Sequence, residues 1–429
     1  MRASIMSFIV HRYNALYSIL GVFAALAILV PLTGATSASA AVSGYPTGVT
    51  LSGLQSGMST TQLEAEIQAA ASAPWNVSDI RLQVEQDKLT WKSGNCPINT
   101  DPVCGPYLQQ IKDVVNYALG LGLTVVINDQ TETAPNYTAD EPAPTHATEV
   151  FWSYVAPVWA GNSKVVYDIF NEPRGATLAS PGTATSWGLW RNGGKFQDGN
   201  TYLGENTIVN YIRGLGSNET NRLWVEGLGA AGTLDGILNG TGTPGIAQDE
   251  VSDPLHSITY AFHHPDDIGA GQNSTSWWQD FGYIVNHSGN FSVIDGEFNN
   301  SVDGGQFCWS GFPGIWGNVS TGYKQYLQGK NVGMTVWTFG PVGTVNGVNN
   351  VPLHAVSNTN GAIDMSGVTP NDANGTSWSM SAPTSLSLNT PAAYAVPATE
   401  QGSPSQSWAC GATNDASMGQ DFANYANGS

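Results

Sequence analysis

Basic residues are scarce in this chain. Its 429 residues hold only 14 Lys and Arg against 33 Asp and Glu, a net charge of −19. Nucleic acid and anionic membrane surfaces are bound through basic patches, so neither is an expected partner. Charged residues of both signs make up 11% of the chain, well below the roughly one quarter of ordinary soluble domains. Few basic groups also leave little positive charge once carboxylates protonate, so tolerance of acid is expected. Cysteine is limited to Cys96, Cys104, Cys308 and Cys410, at spacings that match no zinc site. No Gly-x-Gly-x-x-Gly follows the first predicted strand, which argues against a dinucleotide fold. Past residue 32 no run is long and apolar enough to span a bilayer.

What the chain does have begins with an export signal. Arg2, His11 and Arg12 form a positive end, residues 19–32 an apolar run, and Ala38-Ser39-Ala40 a small-residue cleavage site. The long stretch before the run also fits an uncleaved anchor, but the run is short for a span. Removal of residues 1–40 leaves 12 basic against 33 acidic residues, a net charge of −21. An exported chain with four cysteines suggests two disulfides. Of the three possible pairings, Cys96–Cys104 with Cys308–Cys410 is favoured, closing a local loop and tying down the C-terminal tail.

Eight strand-like segments lie at residues 48–51, 79–84, 123–128, 164–170, 222–226, 257–262, 292–296 and 333–338. Helical patterns separate them. Thr61 opens one, with Glu64 completing a capping box and Leu63, Ile67 and Ala70 on one face. Leu108, Ile111, Val115, Ala118 and Leu119 mark a second. Val150, Tyr154, Val158 and Trp159 mark a third, and Ile208, Tyr211, Ile212 and Leu215 a fourth. Trp277, Trp278, Phe281 and Ile284 suggest a fifth, and Tyr323, Tyr326 and Leu327 a short one stopped at Gly329-Lys330-Asn331. Eight strands alternating with helices predict an α/β fold, a (β/α)8 TIM barrel, over an open doubly wound sheet. The domain is placed at residues 41–367. Residues 368–429 are rich in Ser, Thr, Ala, Asn and Pro and read as an irregular C-terminal extension, with Trp378, Trp408 and Cys410 packing parts of it on the barrel.

The chemistry sits at strand ends. Val165-Val166-Tyr167-Asp168-Ile169-Phe170 reads as a buried strand running into Asn171-Glu172-Pro173. The proline ends it and holds Glu172 extended or in a turn. Phe291-Ser292-Val293-Ile294-Asp295-Gly296-Glu297 repeats the arrangement 125 positions later. Two glutamates so far apart converge only if the sheet closes or curls. Two converging carboxylates are the minimum equipment for cleaving a glycosidic bond.

With this order of motifs the chain resembles glycoside hydrolase family 5, the large cellulase family of retaining enzymes, over most of residues 45–365. Gly48-Val49-Thr50-Leu51-Ser52-Gly53 is similar to that family's first strand and Ile80-Arg81-Leu82 to its second. Tyr260-Ala261-Phe262-His263 resembles the sixth, and Val336-Trp337-Thr338-Phe339 the eighth, whose tryptophan floors the subsite of the attacked sugar. Two positions depart from the pattern. Gln130 stands where the family closes its third strand with histidine; an amide can bond a sugar hydroxyl but takes no charge. Pro265 stands where the family's sixth strand has a tyrosine that orients the nucleophile, and His264 is the nearest substitute.

The resemblance implies double displacement, with Glu172 as acid and base and Glu297 as nucleophile, their carboxyls about 5–5.5 Å apart. The negative Glu297 is expected to raise the pKa of Glu172. Asn171 would bond the sugar 2-hydroxyl, and Arg81 would keep Glu297 ionised. Gln130, His263, His264 and Trp337 complete the expected substrate-binding set. No cofactor is implied. A metal site from His263, His264, Asp266 and Asp267 is disfavoured, since the spacing fits no helix-borne pair. Trp91, Trp187, Trp190, Trp277, Trp278, Trp309 and Trp316 fall in predicted loops or at element ends, and two or three are expected to stack on sugar rings. The implied protein is a secreted monomer acting inside β-1,4-glucan chains. β-Mannanase, xylanase and exo-glycosidase activities remain alternatives, as does a non-catalytic polysaccharide-binding role.

Overall fold

The chain divides into two compact units, Met1–Ser37 and Ala38–Ser429. The computed structural model describes residues 47–72, 76–90, 104–130, 141–174, 184–237, 250–263, 274–285, 292–298, 323–336 and 339, plus short paired strands at 301–302, 306–307 and past residue 343. All belong to the second unit.

Every expected strand is present. They are β1 (Thr47–Leu51), β2 (Asp79–Glu85), β3 (Thr124–Gln130), β4 (Val165–Asp168), β5 (Leu223–Glu226), β6 (Ile258–His263), β7 (Ser292–Phe298) and β8 (Gly333–Val336). Each pairs in parallel with the next, and β8 pairs back to β1, so the sheet is a closed barrel. The (β/α)8 expectation is met. Closure is what lets residues from β2, β4, β5, β6 and β7 meet inside it.

Side-chain alternation divides each strand between two environments. Ile80, Leu82, Val125, Ile127, Val165, Tyr167, Leu223, Val225, Tyr260 and Phe262 join the large core shared with the helices. Their alternates point inward. At the N-terminal end these are apolar, with Val126, Val166, Trp224, Ala261 and Ile294 forming a separate cluster that fills the barrel. Towards the C-terminal end they turn polar: Arg81, Gln83, Asn128, Gln130, Asp168, Glu226 and His263 are all buried. At the N-terminal mouth a cavity of about 580 Å³ opens beside Asp79, Arg222, Trp224 and Lys330, with no catalytic candidate on its wall.

The longer helices among the described residues are α1 (Thr60–Ala70), α2 (Cys104–Gly120), α3 (His146–Val155), α4 (Ala184–Asn192), α5 (Glu205–Gly214) and α6 (Tyr323–Lys330). Two expectations need correction. The capping box of α1 is Ser59 with Gln62, two residues before the Thr61–Glu64 pair. The buried stripe of α3 is Thr148, Phe151, Trp152 and Val155, one step round from the predicted Val150 and Tyr154. Val158 is 36% exposed. The indole of Trp152 anchors that choice of face by donating to the carbonyl of Ile169, just past β4, at 3.0 Å. Residues 274–285 are helical but pass through a π turn at Trp278–Gly282, which keeps Trp277, Phe281 and Ile284 on the core. No helix among the described residues is long and apolar enough to cross a membrane.

The C-terminal extension carries some pairing. Ser379–Met380 pairs with Glu400–Gln401, and Ser385–Ser387 pairs with Ala362–Asp364, both antiparallel. Trp378, Trp408 and Cys410 lie outside the described residues. Cys104, buried at the start of α2, is disulfide-bonded. Its candidate partners Cys96, Cys308 and Cys410 all lie outside the described residues, as does the expected pairing.

Candidate active site

Both glutamates reach the interior, by unlike routes. After Asp168 the chain leaves β4 through Ile169, Phe170 and Asn171 and arrives at Glu172 with φ +50°. That is the left-handed region, not the extended or turn conformation expected before a proline, and it is strained for any residue with a Cβ. The Glu172 amide is held by the Glu226 carboxylate, Oε2 accepting at 2.6 Å.

Glu297 owes its direction to a bulge. Ala261 and Phe262 face Ile294 and Asp295, but the next residue, His263, faces Glu297. The β7–β8 register slips at the same place. Gly296 is therefore an extra residue, and the alternation inverts beyond it. Without the slip Glu297 would point at the helices. With it Glu297 faces inward, and Phe298, fully buried, joins the outer core.

Arg81 organises what lies beneath. The guanidinium is fully buried and donates to Asp168 (Nε, 2.7 Å), to Asn171 Oδ1 and Glu226 Oε1 (Nη2, 2.8 and 2.9 Å), and to Glu297 Oε1 (Nη1). Gln83, one turn of the pleat along β2, donates to the same Glu297 oxygen at 3.0 Å and to Gln130 Oε1 at 3.4 Å. So two donors from β2 orient Glu297. His264 and Pro265 lie outside the described residues.

His263 links the two sides of the site. Its Nδ1 lies 3.0 Å from Glu172 Oε1 and 3.8 Å from Glu297 Oε2, and its Nε2 lies 3.1 Å from Glu226 Oε1. Burial opposes a charge on the imidazole. The negative Glu226 and Glu297, with hydrogen bonds to Glu172 and Glu226, outweigh it and hold the pKa well above the usual histidine range. Burial likewise works to raise Glu226, but the charge and hydrogen bond of His263, then Arg81 and the Glu172 amide, take it down to about 2. Glu172 keeps 31% of its side chain open. Its pKa is nevertheless raised, chiefly by burial; the contacts with His263 pull it down, and the charges of Glu297 and Glu226 push it up. The expected effect of Glu297 is therefore real but secondary to burial.

One ligand-type atom each from Glu172, His263 and Glu297 lie within 4.8 Å of one another, the one grouping among the described residues that could hold a metal ion. A cation would have to displace the proton on His263 and compete with Arg81 for Glu297. That donor set suits proton transfer better than metal binding.

Of the predicted site residues, the barrel brings together Arg81, Asn171, Glu172, His263 and Glu297, with Gln130 joined through Gln83. His264 and Trp337 fall outside the described residues. Glu226, Gln83 and Asp168 were not singled out by sequence. The signal for Glu226 was there, in a third apolar strand, Leu223-Trp224-Val225, that ends on an acid. Among the tryptophans expected near the cleft, Trp187, Trp190 and Trp277 are core residues, at most 2% exposed. Trp190 donates to the backbone carbonyl of Glu226 at 2.9 Å and packs edge-on against Trp187. Trp278 is 39% exposed, under the ammonium of Lys330. Trp91, Trp309 and Trp316 lie outside the described residues.

By sequence, residues 41–343 match the family model described as cellulase, glycosyl hydrolase family 5. The cellulase/esterase CelE of Acetivibrio thermocellus is 24% identical over 223 residues, which cover 51% of this chain and 25% of that relative. This chain thus corresponds to about a quarter of that longer protein. Among solved structures, a β-mannanase from Thermomonospora fusca aligns over 72% of this chain and 83% of its own, at 15% identity and a TM-score of 0.47. An endo-β-1,4-glucanase from Xanthomonas axonopodis pv. citri aligns over 72% and 93%, at 15% identity and a TM-score of 0.46. On the match of the family model across most of the barrel, this chain belongs to glycosyl hydrolase family 5.

Proposed function

We propose that the protein is a secreted, retaining β-glycosidase that cleaves within β-1,4-glucan chains. The observation carrying this is that one carboxylate oxygen of Glu172, just beyond β4, and one of Glu297, at the end of β7, lie within 4.8 Å of each other. A retaining pair sits about 5–5.5 Å apart, whereas an inverting pair leaves about 6.5–9.5 Å for a water. In the first step Glu297 attacks the anomeric carbon as the glycosidic C–O bond breaks and the leaving oxygen takes the proton of Glu172. In the second, Glu172 removes a proton from water, the water oxygen bonds the anomeric carbon, and Glu297 is released. The raised pKa of Glu172 supports its entering the cycle protonated. The donation of Arg81 and Gln83 to one oxygen of Glu297 leaves the other for attack. Asn171 is fixed by Arg81 beside the pair, where a sugar 2-hydroxyl would lie. The N-terminal signal and the low charge support export, with two disulfides formed on the way.

The test is reducing-end release from β-1,4-glucan, β-mannan, xylan and mixed-linkage glucan, with the Glu297→Gln protein in parallel. Release from β-1,4-glucan that disappears in the variant is the expected result. Preference for mannan or xylan would replace the glucanase assignment, and no release from any polymer would sink endo-action.

A further inference from the structure

Glu226 has no part in bond breaking, yet more of the site converges on it than on any residue but Arg81. It closes β5 with its side chain inside the barrel and fully buried. Oε2 accepts from the amide of Glu172, whose backbone is in the left-handed region. Oε1 lies within hydrogen-bond distance of both Arg81 Nη2 and His263 Nε2. The far nitrogen of that imidazole is on Glu172 Oε1.

We propose that Glu226 is a positioning residue for the reaction: its carboxylate keeps His263 a cation pressed on Glu172 and pins the strained backbone that carries Glu172. The proposal rests on the reading of Glu172 as the proton donor. The logic is one of donors and acceptors. An ionised carboxylate only accepts, so both neighbours must come to it as donors. Arg81 always does. His263 does so on Nε2; with the transferable proton of Glu172 on Oε2, Oε1 accepts and Nδ1 donates as well, which requires both ring protons. Replace Glu226 by an amide and the balance changes. Its oxygen still serves Arg81 and one further donor, but its NH2 needs an acceptor, and a neutral His263 with its proton on Nδ1 supplies one at Nε2.

The groups facing His263 are Glu226 from β5, Glu172 beyond β4 and Glu297 from β7; the charges of Arg81 from β2 and Asp168 from β4 lie just beyond. Loss of the cation removes the charge that most strongly favours ionised Glu172. The charge of Glu226, lost with it, acts on Glu172 in the opposite sense and more weakly. The net effect is that Glu172 holds its proton to higher pH.

The experiment is nitrogen-15 NMR of the histidine rings in the wild-type protein and in Glu226→Gln, with His263 assigned by its disappearance in His263→Asn. It is paired with pH profiles of kcat/KM. The wild-type ring is expected to be doubly protonated at pH 7 and the variant ring singly protonated. The alkaline limb of the variant should move up by about one pH unit, with kcat about 100-fold lower from misplacement of Glu172. A neutral His263 in the wild-type protein overturns the proposal even if the variant does not fold. So does a variant that keeps the cation and an unmoved alkaline limb, since a merely structural role predicts that. The ring signals read independently of hydrolysis, so failure of the glycosidase reading would show as absent turnover with the cation intact.

Discussion

At the scale of residues, the site is a set of acids made compatible by two cations. Asp168, Glu226 and Glu297 all bond one buried guanidinium. Removing one partner from such a buried set costs about 3–5 kcal/mol, because the remaining charges lose their compensation. Arg81→Met is therefore expected to lower stability by that order in denaturant unfolding, as well as abolishing turnover. Gln83 makes a narrower contribution through its amide on Glu297. Gln83→Ala should reduce kcat by roughly tenfold and leave KM nearly unchanged, since the proposed nucleophile loses one neutral donor worth about 1.5 kcal/mol. Equal losses in binding would instead place Gln83 on the substrate. Glu172→Gln should spare only the first step on aryl glycosides whose leaving group needs no proton, giving a burst of released phenol followed by slow turnover for want of the base, and should cripple the first step on natural linkages. The two glutamates proposed as acid and nucleophile are legible in the sequence because each stands in a recognisable strand-end motif. Glu226 and Gln83 are not legible there because an acid or amide in a strand has no local mark of its partners; those lie 37 to 214 residues away in the chain and come together only once the barrel closes.

At the scale of elements, the same limit shows in periodicity. Apolar runs located all eight strands, since a buried parallel strand reads as a continuous apolar segment. They could not reveal the slip at Gly296, because a bulge is defined against its neighbours, β6 and β8, and not within β7. The consequence is large for one residue. Glu297 points inward only because Gly296 is extra, and the Cβ of any other residue there would sit 3.4 Å from the ring of His263. Deletion of Gly296 is expected to restore a regular ladder with Glu297 still opposite His263 and inward, and Phe298 still in the outer core. Turnover should fall but survive, since only the local kink is lost. A folded deletion protein with Glu297 turned to the helices and no turnover would contradict the reading of Gly296 as the extra residue. The one-step error on α3 has a similar origin. Val150 and Phe151 are both apolar, and the choice between their faces is made by Trp152 reaching the carbonyl of Ile169 across to the strand.

At the scale of the whole molecule, many carboxyls are buried in a protein with few bases to pair them. Glu66, Asp129 and Glu205 are fully buried, and neither oxygen of any of them has a hydrogen-bond partner among the described residues. Burial raises all three well above the usual carboxylate range, with neighbouring acids adding to it for Asp129 and Glu205. Burial also lifts Asp79, to about 6. The folded protein thus holds protons that the unfolded chain has released, and stability falls as pH climbs from about 4 through these raised values. His263 acts in the same direction, its contribution lost as pH rises through its raised folded pKa. Glu226 acts in the other, and its contribution is lost only as pH drops from about 4 towards 2. Calorimetry from pH 3 to 8 should therefore find the highest Tm between about pH 4 and 6, in line with the acid tolerance expected from composition, whereas a maximum above pH 7 would contradict it. Asp79→Asn should add up to about 3 kcal/mol at pH 7 and nothing near pH 4. The site itself is tested most directly by proton NMR of the sugar released in the first minutes of hydrolysis of a β-linked oligosaccharide. Two carboxylates within 4.8 Å predict double displacement, with the β-anomer appearing first and the α-anomer only by later mutarotation. Initial release of the α-anomer would mean single displacement, and Glu297 could not be the nucleophile.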